Sequence, residues 1–140
     1  MDTSLSQTTS SAFLEAYRLC MAAMNTEGQK HFMAFPALVC AAFSAEVGLK
    51  TILKLEGPDV HGHDLLALFM ALSDSSKVAI LDATNVSIEE FTAQLKHSKQ
   101  AFVEWRYIYE EVDEKHINVA FLGKFASAVE ETALRLKSAA

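Results

Sequence analysis

The chain has 140 residues, 51% of them apolar, with only 2 prolines and 5 glycines, a composition that suits one compact globular domain and excludes a disordered, tail-like protein. A domain of this size buries about 68% of the surface its unfolded chain exposes, so it needs neither a disulfide nor a metal to hold a core. The 18 acidic against 12 basic residues give a formal charge of -6, which opposes generic DNA or RNA backbone binding and leaves room only for a local nucleotide or RNA site.

The opening stretch, Met1 to Ser10, has no basic region followed by an apolar one, so it is not a secretory signal. Residues 1–9 read as a frayed polar arm. Phe13, Tyr17, Cys20 and Met24 then recur at helical spacing and predict a first helix ending before Gly28. A second helix is expected from Pro36, at home in a first turn, through Lys54 to the Gly57-Pro58 break. Its faces are nearly all apolar, which marks a central, buried helix. The stretch from Phe32 to Phe43 contains Pro36 and meets Glu46 soon after, short of the roughly 18 apolar residues a membrane span requires.

His63 to Leu72 predicts a short third helix with Asp64 placed early, where a negative charge suits the helix dipole. Ser73 to Asn85 reads as a connection with at most a helical turn. Ser87, with Glu90 three residues on, forms a capping-box pattern for a long fourth helix reaching about Glu111. A fifth is expected from Ile117 to Leu136. No segment alternates strictly between apolar and polar residues, so a sheet has no home. The expectation is all-α: residues 10–140 as one up-and-down antiparallel bundle of four main helices and one short one.

Cys20 and Cys40 stand far apart in the sequence, on helix bodies, with no Cys-x-x-Cys pair and no metal-ligand spacing. They read as buried, reduced thiols of a cytoplasmic protein. The informative residues are the ionisable ones on apolar stripes. At 100° per residue, Glu46 shares a face with Phe35, Val39, Phe43, Leu49 and Leu53, and Lys50 sits one turn beyond it. His63 aligns with Leu66, Ala67 and Met70. Arg106 lies between Phe102 and Tyr109, with Trp105 alongside and Glu110 one turn on.

Three helices therefore direct a charged group toward a common interior: Glu46 with Lys50, His63 with Asp64, and Arg106 with Glu110. Buried charges must be paired. The set reads either as a ligand site or as a salt-bridge network that fixes helix register.

The aromatic residues Phe102, Trp105 and Tyr109 share one stripe and read as core, while Tyr107 projects away and is free for an interface. His61-Gly62-His63-Asp64 contains competent metal ligands, but no second cluster accompanies it, and no metal or other cofactor is expected. Glu89-Glu90, Glu110-Glu111 and Glu130-Glu131 are adjacent positions that do not face one another on a helix. P-loop, Gly-x-Gly-x-x-Gly and Gly-x-Ser-x-Gly patterns are all missing from the sequence.

Three segments carry a resemblance: Ala42-Phe43-Ser44-Ala45-Glu46-Val47-Gly48-Leu49-Lys50, then Gly62-His63-Asp64-Leu65, then Arg106-Tyr107-Ile108-Tyr109-Glu110. In order and spacing they resemble the HEPN superfamily over about residues 10–137. The resemblance implies an up-and-down helical bundle, commonly a homodimer, tied to RNA cleavage, toxin and antitoxin pairs, stress or phage defence, or nucleotide binding. Ribonuclease members carry an Arg followed by four to six residues and a His. From Arg106 that His falls at 111, 112 or 113, where this chain has Glu111, Val112 and Asp113, and the next histidine is His116.

The leading expectation is therefore a non-catalytic, HEPN-like dimeric module that binds a nucleotide or RNA end near Arg106, Lys50 and His63, with Tyr107 at the dimer interface. The alternative is an atypical metal-independent ribonuclease using Arg106, with His63 or His116 as acid or base and Glu110 nearby. A third reading makes the chain a structural partner of a nucleotidyltransferase-like protein.

Overall fold

Six helices and no strand make up the residues described by the computed structural model, which are 3–24, 30–98 and 118–139. The fold is an all-α helical bundle, as the periodicity predicts. The first helix, α1, runs Ser4–Met24, so residues 4–9 of the stretch expected to fray are helical. Ser and Thr are indifferent helix formers because their side chains compete for backbone partners. Here those side chains are used instead in contacts that favour the helix. Ser6 Oγ donates to Thr3 O at 3.0 Å, Gln7 Nε2 to Ser11 Oγ at 3.1 Å, and Thr51 Oγ1 of the next helix to Ser6 Oγ at 2.8 Å.

The second helix, α2, runs Lys30–Glu56. It starts before Pro36, which lies inside the helix on its exposed side rather than in the first turn. An interior proline costs about 3 kcal/mol or more. The packed stretch that follows it offsets this, because Leu38, Leu49, Ile52 and Leu53 are essentially inaccessible and each such side chain contributes roughly 1.5–3 kcal/mol on burial. By length and composition Met33–Glu56 would suffice to cross a membrane, but 67% of its most apolar window is buried inside the bundle, which is the pattern of a core helix.

A polar seam locks α1 to α2. Ser10 Oγ donates to Ser44 O and Ser44 Oγ to Ser10 O, both at 2.8 Å and both buried. Phe13 meets Phe43 edge-on at 4.6 Å. As the α1 partners rise from Ser6 through Ser10 to Phe13, those on α2 fall from Thr51 to Ser44 and Phe43, so the pair is antiparallel. Cys20 and Cys40 also lie on this α1–α2 pair, near enough for Cys20 to help raise the pKa of the Cys40 thiol after burial. Positions 20 apart in sequence thus become neighbours across the seam.

After α2 come α3 (Leu65–Met70), α4 (Asp74–Thr84), α5 (Ile88–Ser98) and α6 (Val119–Ala139). The connection expected over 73–85 is the full helix α4. Ser73 caps it by accepting from Ser76 N at 3.3 Å, and Asn85, at φ 56°, closes its other end. Its apolar stripe is thin, with Ser76, Ile80 and Thr84 as the buried positions, which is why periodicity passes over it. Ser87 Oγ caps α5 through Glu90 N at 3.1 Å, and Asn118 Oδ1 caps α6 through Phe121 N at 2.9 Å. The extension of the α5 helix to Glu111, and the start of the last helix at Ile117, lie outside the described residues.

Phe69, Phe91, Phe121 and Phe125 join α3, α5 and α6 through ring centroids 5.0–6.2 Å apart. Helix α6 runs antiparallel to α1, with Gly123 under the Tyr17 ring and Val129 meeting Ser10 at Gly48. A methyl group at Gly48 would stand 2.6 Å from Val129 Cγ1 and 3.0 Å from Ser10 Oγ. Gly48→Ala is therefore expected to destabilise the fold by about 1–3 kcal/mol through overpacking, and Gly48→Ala with Val129→Ala to recover part of that loss in denaturant melts.

Glu56 ties the end of α2 to the start of α4. Its carboxylate accepts from Ser73 N at 2.9 Å, Ser73 Oγ at 2.6 Å and Ser76 Oγ at 2.6 Å. Burial opposes its ionisation, but the hydrogen bonds from Ser73 and Ser76 outweigh that and hold its pKa below the ordinary glutamate value. A carboxyl whose folded pKa is depressed contributes stability above its unfolded pKa and loses it as pH falls through the folded one. Thermal melts from neutral to acid pH should show this loss, and Glu56→Gln, less stable at neutral pH by about 1 kcal/mol, should show a shallower one.

Candidate functional site

Glu46 lies near the middle of α2, on the face predicted from its apolar neighbours, and only 3% of it is exposed. An isolated carboxylate at such depth is costly, and Oε2 has two partners to offset the cost. Lys50, one turn along the same helix, places Nζ 3.2 Å away, and His63 places Nδ1 2.9 Å away. An ionised carboxylate only accepts, so with Glu46 charged Nδ1 carries the hydrogen and Nε2 is left facing outward. Glu46 Oε1 is buried with no hydrogen-bond partner among the described residues.

The two partners reach the surface to different extents, the Lys50 side chain being 30% and His63 57% exposed. A buried acceptor thus anchors two groups whose outer ends stay open to solvent. The Lys50 ammonium has three hydrogens and gives one to Glu46. The other two, joined by the outer nitrogen of His63 when the ring carries both hydrogens, form a small donor-bearing surface suited to a phosphate or carboxylate oxygen.

His63 reaches this point by a different route from the helical face expected of it. It precedes α3, in the loop that follows α2, directly after Gly62, whose φ of 108° is one that side-chain-bearing residues rarely adopt. Asp64 does not join the cluster. It is the α3 N-cap, with Oδ1 accepting from Ala67 N at 3.1 Å. Arg106 and Glu110 fall outside the described residues, as do Tyr107, the aromatic stripe of Phe102, Trp105 and Tyr109, the Glu110-Glu111 pair, and His116.

The remaining motif residues stand apart. His61 pairs with Asp59 at 3.2 Å, both well exposed, and among the described residues no three His, Cys, Asp or Glu side chains gather as a metal site would require. Glu89 and Glu90 are exposed, Glu130 lies 4.0 Å from Arg18, and Glu131 3.3 Å from Arg135.

Two surface cavities lie elsewhere. One of about 560 Å³, between α1, α4 and α6, is lined by Tyr17, Asn85, Lys124, Ser127 and Glu131 among others. Burial raises the Tyr17 phenol pKa above its ordinary value there. The other, about 380 Å³, is an apolar groove between α3, α4 and α5 edged by the exposed side chains of Met70, Val78 and Ile88. Neither was visible in the sequence, because each is assembled from helices that no local pattern places side by side.

Compared with known proteins, the chain matches no family model, no curated protein and no solved structure.

Removing one member of a buried charge pair leaves the other uncompensated, whereas replacing both with apolar residues is often close to neutral. Lys50→Met is expected to destabilise by about 1–3 kcal/mol, less than for a fully buried pair because Lys50 reaches solvent. The double variant Glu46→Leu with Lys50→Met should recover most of this, and a double-mutant cycle in urea gives the coupling energy.

Proposed function

We propose that the protein is a non-catalytic, HEPN-like binding module that acts as a homodimer and holds a phosphate-bearing ligand, a nucleotide or an RNA end, at Lys50 and His63. The observation that carries this reading is the buried Glu46 carboxylate gathering Lys50 and His63 at one point while their outer ends stay open. A salt bridge serving packing alone has no need of an exposed imidazole as a third member. Glu46 cancels the charge of Lys50, so the site is close to neutral until His63 is protonated. It is suited to one terminal phosphate rather than a polyanion, in keeping with a net charge of -6.

The Lys50 and His63 segments are two of the three that carry the resemblance to the HEPN superfamily, and Arg106 in the third is the residue this reading adds to the same ligand. The absence of a histidine at 111–113 supports a binding role over a cleaving one.

A second reading is favoured by one specific feature. A carboxylate on the inner nitrogen of His63 fixes the tautomer and orientation of the imidazole, as in acid–base catalysis by histidine. In that reading His63 exchanges a proton with an RNA 2′-hydroxyl or leaving oxygen, and Arg106 stabilises the phosphorane charge.

One set of measurements separates the two. Thermal melts with nucleoside mono-, di- and triphosphates and with short RNA are expected to show a raised Tm, since a ligand at 100 times its Kd adds about 2.7 kcal/mol. Lys50→Ala and His63→Ala should remove the shift. No shift with any of these probes, from a chain that sediments as a monomer at micromolar concentration, overturns the binding reading. Metal-free cleavage of cellular RNA that is lost in both Arg106→Ala and His63→Ala replaces it with the ribonuclease reading.

A further inference from the structure

The ligand site leaves both cysteines unused, yet the fold brings them together. From the hydrogen bond between Thr51 and Ser6, Cys20 lies 14 residues along α1 and Cys40 lies 11 residues back along α2, axial rises of about 21 and 17 Å. In an antiparallel pair these rises run the same way, so the two positions stand within one helical turn of each other. Phe13 and Phe43, in contact at 4.6 Å, belong to the same seam, with Cys20 further along α1 and Cys40 further back along α2. The Cys20 thiol is near enough to act on the Cys40 thiol, and both cysteines are free. Each sits on a helix of the pair joined by the reciprocal Ser10 and Ser44 bonds.

We propose that Cys20 and Cys40 are a redox modification site, closing into a reversible intramolecular disulfide between α1 and α2 when the protein meets an oxidant of the peroxide class. Cys40 is partly exposed and Cys20 is buried, with 8% of its surface open, so Cys40 is the sulfur the oxidant reaches first. The Cys40 thiolate attacks one peroxide oxygen. The O–O bond breaks, the second oxygen leaves as hydroxide, and a sulfenic acid forms. The Cys20 sulfur then attacks the Cys40 sulfur, the S–O bond breaks, and the departing hydroxide takes up the Cys20 proton as water. In sum, two thiols and one hydrogen peroxide give one disulfide and two waters, and a dithiol reductant reverses the outcome.

Burial, then the neighbouring Cys20, hold the Cys40 thiol above its ordinary pKa. Little thiolate stands at neutral pH, so the reduced pair reacts slowly and responds to sustained rather than trace oxidant. Once the sulfenic acid forms, the nearest thiol belongs to the same chain, which favours closure over further oxidation or a link to a second molecule.

The test treats the folded full-length chain with hydrogen peroxide, unfolds it in an alkylating agent, and reads the intact mass, the peptide map and a non-reducing gel. The expected result is a loss of two hydrogens, no alkylation at either cysteine, one linked peptide containing both, and a monomeric band. Dithiothreitol should restore two alkylatable thiols. Cys20→Ser should halt at the Cys40 sulfenic acid, captured with dimedone. Sulfinic acid at Cys40 beside an alkylatable Cys20, disulfides only between chains, or two thiols still alkylatable after the exposure that oxidises a free-thiol control, each overturns the proposal. The wild-type result decides even if the variant fails to fold.

Discussion

Helix α2 has almost no face that water would tolerate, and the rest of the bundle is arranged around that constraint. Its burial needs neighbours on every side, which α1, α3 and α6 provide. Close approach on the α1 side is possible because the seam there is made of small residues, and Ser10 and Ser44 satisfy their hydroxyls reciprocally across it. Polar side chains in a tight interface are tolerable only when each has a partner. These also set the register, because a shift by one turn would leave two buried hydroxyls unpaired. Glu46 is the one carboxylate fully inside this stretch, and Lys50 and His63 are held where they are by its need for compensation.

Helix bodies were legible because apolar residues recur at helical spacing, and the all-α bundle follows from them. Their ends were less so. The start of α1 depends on hydroxyl contacts with Thr51, 45 residues away in sequence, and no local pattern records such a partner. Pro36 marks a boundary by local rules, yet the packing beyond it carries the helix through. Helix α4 was missed because its stripe is built of Ser76, Ile80 and Thr84, and its caps Ser73 and Asn85 read as loop residues.

In the site, Glu46 and Lys50 were legible from a single helical face, since a charge among Phe43, Leu49 and Leu53 has to be explained. His63 belongs to the cluster for another reason than its place on a stripe. A loop bounded by Gly57 and Gly62, both at positive φ, turns the chain back so that the imidazole meets α2. Asp64 was drawn into the same network by proximity in sequence, but its side chain serves the backbone of α3. The nearness of Cys20 to Cys40 was hidden because the α1–α2 register is set by serine contacts, to which hydrophobic periodicity is blind.

Helices α3 and α4 span 6 and 11 residues, below the about 12–15 at which an isolated helix becomes even marginal in water. Their helicity depends on packing, α3 through Phe69 in the phenylalanine cluster and α4 through its contacts with α6, whereas α1, α2 and α6 span 21, 27 and 21 residues. These described helices thus differ in local stability, and amide hydrogens of α3 and α4 are expected to exchange before those of α1, α2 and α6 through sub-global opening. His63 stands in the segment leading into α3, while Glu46 and Lys50 belong to α2. Anything that grips Lys50 and His63 together ties that segment to α2, so occupancy of the site and slow exchange in α3 are two readouts of one equilibrium.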